Sequence, residues 1–557
     1  MRRIALAVAM VLTVAACTHD TQSANTVKLA DPGDCTPVDV AAAPEISLVL
    51  GHLGNLFNKS RASHLAGDQC AFVRVHSVDS PTAVAHLLDD WPDPSDDGPA
   101  PALWAPASSA WIDLADAGLA ARRRPPMVHE ATTFARTGTV IAMPQPMAQA
   151  LGWPKKPIGW RDLARVAAQA RGWAAYGHPE WGEFRLGKAN PTRSTTALLA
   201  TIAVSRLHDP QLARTLEQSV IYYGDDDWPF LDNWLRLDKA EKSTAYVSAV
   251  VTDQRAVDAY NAGSSNGNPP KRGQSLTKPH TPLVAITPSD GTFAADSPLA
   301  PIDAQWVTTG ARAGAQAFVA FTRTPQALQQ VTKNDFQVGG APANLGAYED
   351  AAPALDDWAT IRKPARLLLL FDVSDSMGDP ADPKFPNGPT KIERAKAALL
   401  DALSRLAPDD AVGLRIFTTD ANGVKGRNWA DVVPIGRLDR QRAQLVRAIN
   451  TLKTQKGSPL YPAVRGAFDS MNRRIDSARI NGVVVLTDGH NEYDADNNKT
   501  ELLSHLHEPV RMFTISYSPD ADLPTLRKIA EATNARVYDA SNTLTIEDLY
   551  ASALTNF

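Results

Sequence analysis

The sequence is poor in cysteine, with 3 in 557 residues. Cys35 and Cys70 stand without a second cysteine pair or a His-x-x-His, so a zinc site is not expected. Beyond the amino-terminal segment no apolar run approaches the roughly 18 residues a membrane-spanning helix needs. Gly-x-Ser-x-Gly, His-Glu-x-x-His and P-loop patterns are all missing, and the expectation is therefore no enzyme. His490 lies beside Asp488, but a lone loop histidine is ordinarily solvated. The formal charge is -5 and no basic stripe is evident, which excludes nucleic acid as an expected partner.

What is present starts with Arg2 and Arg3 ahead of an apolar stretch running to Ala16, the layout of an export signal at 1–16. Its end, Val14-Ala-Ala-Cys17, resembles a bacterial lipobox. That resemblance implies lipidation at Cys17, a flexible tether over 17–33, and a chain exported and held at the outer face of the cell membrane by lipid alone. Loss of residues 1–16 takes the formal charge from -5 to -7. In an exported chain, Cys35 and Cys70 are expected to pair as a disulfide.

The length calls for more than one core. Residues 34–338 alternate strand-like and helix-like segments. Ile46–Leu50, Ala71–Val75, Gly138–Met143, Thr244–Ser248 and Pro282–Ile286 read as strands, and Trp160 opens an amphipathic helix. Ser108 and Ser109, and Thr192, Ser194 and Thr195, are hydroxyl clusters at expected helix starts. Helix amino termini present free N–H groups and a positive dipole end, so these five residues are candidates to hold a small polar or anionic ligand. They serve equally as plain helix caps. Residues 339–363 are rich in Gly, Ala, Pro and Asp and read as a linker.

The most informative stretch begins at Leu367. Five apolar residues lead into Asp372-Val-Ser374-Asp-Ser376. A run apolar at every position is a strand buried on both faces, and ligands of open α/β sheets sit beyond the carboxyl ends of such strands. One carboxylate and two hydroxyls are hard donors suited to Mg²⁺ or Mn²⁺. An aspartyl-phosphate nucleophile is not expected, because Ser374 stands where that chemistry needs a second Asp. Two further segments add Ser458, in a loop opening a helix, and Asp488, at the end of the strand Val483–Leu486.

Asp372, Ser374, Ser376, Ser458 and Asp488 together form the pattern of a metal-ion-dependent adhesion site, and residues 364–557 resemble the von Willebrand factor A (VWA) family. Ser458 replaces the usual Thr, and Asp375 the usual Gly. The resemblance implies a doubly wound, mainly parallel Rossmann-like domain, a bound Mg²⁺ or Mn²⁺, and a protein partner that supplies an acidic side chain to the metal. Residues 34–338 resemble two-lobed (type 2) periplasmic solute-binding proteins, on Leu103–Trp111, Ile141–Pro144, Leu186–Thr196 and Val284–Thr292. The rival expectation is the solute receptor of an ABC-type importer with an accessory VWA domain.

Overall fold

The computed structural model describes residues 31–67, 69–92, 97–264, 276–339, 345–541 and 546–557. The export signal, Cys17 and most of the tether lie outside them. No helix among the described residues is long and apolar enough to cross a membrane.

The first half is α/β in two lobes. In the first lobe Thr36–Ala42 runs parallel between Ala71–Ser77 and Leu103–Ala105, and Pro298–Pro301 and Thr132–Thr133 complete the sheet. The second lobe is built on Ala135–Pro144, which pairs antiparallel with Ala249–Asp253, Leu283–Ile286, Ala294–Ala295 and Gln337–Val338; Leu186–Ala189 and Val220–Gly224 extend the sheet. The chain crosses between lobes at Thr133–Ala135 and returns at Ala295–Pro298. Cys35 and Cys70 form a disulfide that ties the first strand to the second, Cα to Cα 4.7 Å.

Two segments expected as strands are not. Ile46–Leu50 lies in helix Pro44–Asn58, whose Ile46, Val49, Leu50, Leu53 and Phe57 are buried at helical spacing. A short apolar run does not by itself distinguish helix from strand, and here Pro44 in the first turn marks the helix start. Thr244–Ser248 is a 3₁₀ turn, Ser243–Ala245, leading into the strand at Ala249.

The segment expected as a linker also carries structure. Residues 351–361 form the helix Ala351–Ile361, which buries Ala351, Ala354 and Trp358 against helices Ala110–Ala121, Thr195–Ser205 and Pro210–Gln218 of both lobes. Composition suggested a loop, but alanine is the best helix former and the small-residue face fits closely against its neighbours. Trp358 Nε1 donates to Glu217 Oε2 at 3.1 Å, and its ring meets Tyr223 edge-on at 5.3 Å.

Residues 365–539 hold the second sheet system, six strands in the order Trp429–Arg437, Ala411–Phe417, Ala365–Asp372, Ile480–Thr487, Arg511–Ser516, Val537–Asp539. All neighbours are parallel except the first pair. Leu367, Leu369 and Phe371 face one core and Leu368 and Leu370 the other, which is why the strand is apolar at every position. The first of these cores continues into the second lobe: Phe513 meets Tyr222 at 5.5 Å, Tyr223 N donates to Asn556 O at 2.9 Å, and Arg185 pairs with Glu508 at 2.9 Å.

Candidate functional site

Three loops meet beyond the carboxyl ends of the central strands Ala365–Asp372 and Ile480–Thr487. Asp372 ends the first and is fully buried, as are Ser374, Ser458 and Asp488 around it. Asp372 Oδ1 accepts the Ser374 backbone N–H at 2.9 Å, and its Oδ2 accepts hydroxyls from Ser458 at 3.2 Å and from Thr487. Ser374 and Ser376 Oγ are 3.1 Å apart, and Ser376 donates to Asp488 Oδ1 at 2.8 Å. The five residues read from the sequence are thus brought together by hydrogen bonds in one chain of contacts. Asp375 is exposed.

The second loop is held in place by backbone. Thr419 N donates to Lys456 O at 2.8 Å, and Gln455 N to Val373 O at 2.6 Å. Gly457 has φ +71, and a Cβ there would stand 2.5 Å from Thr419 Oγ1, so this turn requires glycine.

Electrostatics set the character of the site. Every partner Asp372 has in these contacts is neutral. Burial, and secondarily the charge of Asp488, push its carboxyl up to about 7, against the Thr487 hydroxyl that pulls it down. A buried carboxylate facing another with only neutral donors fits a cation of hard character. Asp372, Ser374, Ser376 and Ser458 would hold the ion, with Asp488 beside them.

Two residues of this constellation were not read from the sequence. Thr487 lies next to Asp488, as the last residue of strand Ile480–Thr487. Lys391 opens helix Lys391–Arg405, and its Nζ donates to Asp488 Oδ2 at 2.8 Å. A capping box of Thr390 and Glu393 fixes that helix start, the one sequence signal that could have placed it.

The five hydroxyl residues of the first half are used differently. Ser108 and Ser109 sit before helix Ala110–Ala121, as expected, but Asp296 already occupies the position an anion would take. Its Oδ1 accepts the Ser109 N–H at 2.8 Å and the Ser108 hydroxyl at 3.2 Å, and its Oδ2 the Ser109 hydroxyl at 2.9 Å. Thr195 Oγ1 accepts Trp111 Nε1 at 2.9 Å across the lobes, Ser194 caps Ala197 N, and the Thr192 hydroxyl donates to Asn190. Arg193 pairs with Asp79 at 3.0 Å. In this structure these hydroxyls cap helix starts and brace the two lobes against each other.

The space between the lobes is also acidic. Enclosure by the surrounding protein, and secondarily the charges of Asp226, Asp253 and Asp79, push the Glu45 carboxyl up, although the residue remains open to solvent. Asp253 and Asp79 each cap a helix, accepting the N–H of Ala256 and of Thr82. The run Asp225-Asp226-Asp227 was the available sequence signal.

This geometry defines a two-part binding protein, a lobed α/β unit followed by an open-sheet domain with an oxygen-donor cluster at its strand ends. Residues 38–337 match the family model of bacterial extracellular solute-binding proteins, and residues 367–490 that of the von Willebrand factor type A domain. The chain belongs to the first family and carries a VWA domain. Both are families of binding domains.

Among solved structures it is similar to a von Willebrand factor type A protein from Catenulispora acidiphila, at 20% identity and TM-score 0.29, covering 35% of this chain and 42% of that one. It thus spans less than half the length of that relative. It is also similar to the periplasmic binding protein AfuA from Actinobacillus pleuropneumoniae with fructose-6-phosphate bound, at 12% identity and TM-score 0.37, covering 59% of this chain and 99% of that one. A third is the sulfate-binding protein SubI from Mycobacterium tuberculosis H37Rv, at 16% identity and TM-score 0.33, covering 58% and 90% respectively. No curated protein matches the chain.

Proposed function

We propose that this protein is an exported, lipid-anchored, non-catalytic binding protein that engages a protein partner through Mg²⁺ or Mn²⁺ held by Asp372, Ser374, Ser376, Ser458 and Asp488. Bound there, the ion offers an open coordination position to an Asp or Glu carboxylate of the partner. The observation that carries the reading is the burial of Asp372 among neutral donors opposite Asp488. Asp372 and Asp488 supply charge, and the three serines supply neutral oxygens. Export and anchoring are supported by the Arg2 to Cys17 segment and by the Cys35–Cys70 disulfide, which suits an oxidising compartment.

The test is thermal unfolding of the full mature chain with Mg²⁺ or Mn²⁺ and with EDTA, beside Asp372→Ala. The metal is expected to raise the wild-type Tm and leave the variant unmoved. No metal response in the wild type rejects the reading. The full chain is needed because the VWA core is continuous with that of the second lobe.

A second reading, a solute receptor for an importer, is favoured by membership of the solute-binding family. Its ligand would compete with Asp296 for the Ser109 N–H and for the Ser108 and Ser109 hydroxyls.

A further inference from the structure

Lys391 is a charged group at the candidate site to which the proposed chemistry gives no role. It is only 9% exposed, and its ammonium stands between two carboxylates of opposite surroundings. Asp488 Oδ2, buried, is 2.8 Å away; Asp379 Oδ2, on the surface, is 3.9 Å away. The second oxygen of Asp488 takes the Ser376 hydroxyl. Both oxygens of Asp488 are therefore engaged, one of them by a cation.

The backbone keeps this arrangement in register. Lys391 N donates to Asp379 O at 2.9 Å, and Pro380 bridges Thr390, so Asp379 stays beside the helix start wherever the lysine side chain points. Glu393 and Thr390 close the first helical turn, leaving the side chain of Lys391 as the movable part.

We propose that Lys391 is a built-in counter-ion that competes with the divalent metal for Asp488, and that its ammonium passes to Asp379 when metal binds. The inference rests on the reading of Asp372 and its neighbours as a metal site. A buried carboxylate requires a cation, a proton or several donors. In the metal-free protein Lys391 meets that requirement for Asp488 but leaves Asp372 with neutral partners. A divalent ion satisfies both carboxylates but brings two positive charges up to an ammonium, which raises the free energy of the loaded site unless the ammonium withdraws. Affinity for hard cations follows the net charge of the ligand set, so the lysine holds the site weak and makes loading responsive to any group that draws Lys391 outward.

The experiment measures Mn²⁺ binding to the full mature chain by electron paramagnetic resonance of free Mn²⁺. Lys391→Met and Lys391→Gln are expected to bind about tenfold more tightly than wild type, Lys391→Arg about as wild type, and Asp379→Asn about twofold more weakly. Asp372→Ala is expected not to bind. If wild type binds and both neutral variants bind equally or less tightly, the counter-ion proposal is overturned while the metal site stands. If wild type and the neutral variants all fail to bind, the metal reading falls and takes the proposal with it. If neither neutral variant folds in EDTA, as judged by circular dichroism, Lys391 is a folding requirement and the proposal is overturned.

Discussion

The interlobe region and the VWA loop cluster meet the same electrostatic problem and solve it to different extents. Between the lobes, a helix amino terminus that could hold an anion is filled by Asp296, which accepts one N–H and two hydroxyls. At the VWA loops, a carboxylate pair that could hold a cation is only half satisfied: Lys391 serves Asp488, while Asp372 keeps neutral donors. An internal ion that saturates every donor converts a ligand site into a brace. One that leaves a buried charge uncompensated keeps a site open to an external ion. Both regions belong to families of binding domains, and their hydrogen bonds differ in how far protein groups already engage the buried donors and carboxylates.

The largest effect is expected where the two regions join. Trp358 is buried, bonds Glu217 and packs on Tyr223, and it lies just before the VWA strand. Trp358→Ala should cost about 3–5 kcal/mol in urea unfolding. Because the second-lobe and VWA cores are continuous, both tryptophan fluorescence and metal-dependent stabilisation should be lost in a single transition. Two separated transitions in the wild type would break the comparison, since the two sites would then rest on independent cores.

The second effect concerns pH in EDTA. The folded-state carboxyl of Asp372 is raised to about 7 from 3.8. Its favourable contribution is fully present below the unfolded value and is lost as pH rises through about 7, so metal-free stability should fall by a few kcal/mol at most between these limits. Asp372→Asn should flatten that part of the profile in thermal melts. An unchanged profile would show that Asp372 does not carry the uncompensated charge.

The smallest effect sharpens the interlobe side. Asp296→Ala removes the acceptor of Ser109 N–H and of two hydroxyls, at about 1–3 kcal/mol. The vacated helix terminus should then accept an external anion, so added sulfate should raise the Tm of the variant more than that of the wild type. Equal sulfate responses would mean that Asp296 is not standing in for a ligand.

Much of the VWA loop cluster could be read directly along the chain because its oxygen donors cluster locally. Asp372, Ser374 and Ser376 fall within five residues, and Ser458 and Asp488 each follow a recognisable strand or loop. Lys391 was missed because the hairpin around Asp379 to Thr390 separates it from Ser376, and nothing in a lysine at a helix start says which carboxylate it will reach. Asp296 was missed for a stronger reason: 187 residues separate it from Ser109, and only the return crossing between the lobes brings them together. Helix Ala351–Ile361 was hidden by the loop-like composition around it, while the partners that bury its apolar face belong to both lobes.

The sequence by itself determined the order of the domains, the strand–helix alternation, the apolar strand leading into Asp372, and the five oxygen donors at the VWA loops. Each depends on local spacing, because strand burial on both faces and loop donors at strand ends follow from short runs of residues. Only the tertiary structure decided which protein groups engage the candidate donors. That outcome turns on charges far apart in the chain, Asp296 on the Ser109 helix and Lys391 on Asp488, whose meeting is fixed by packing and not by any local pattern.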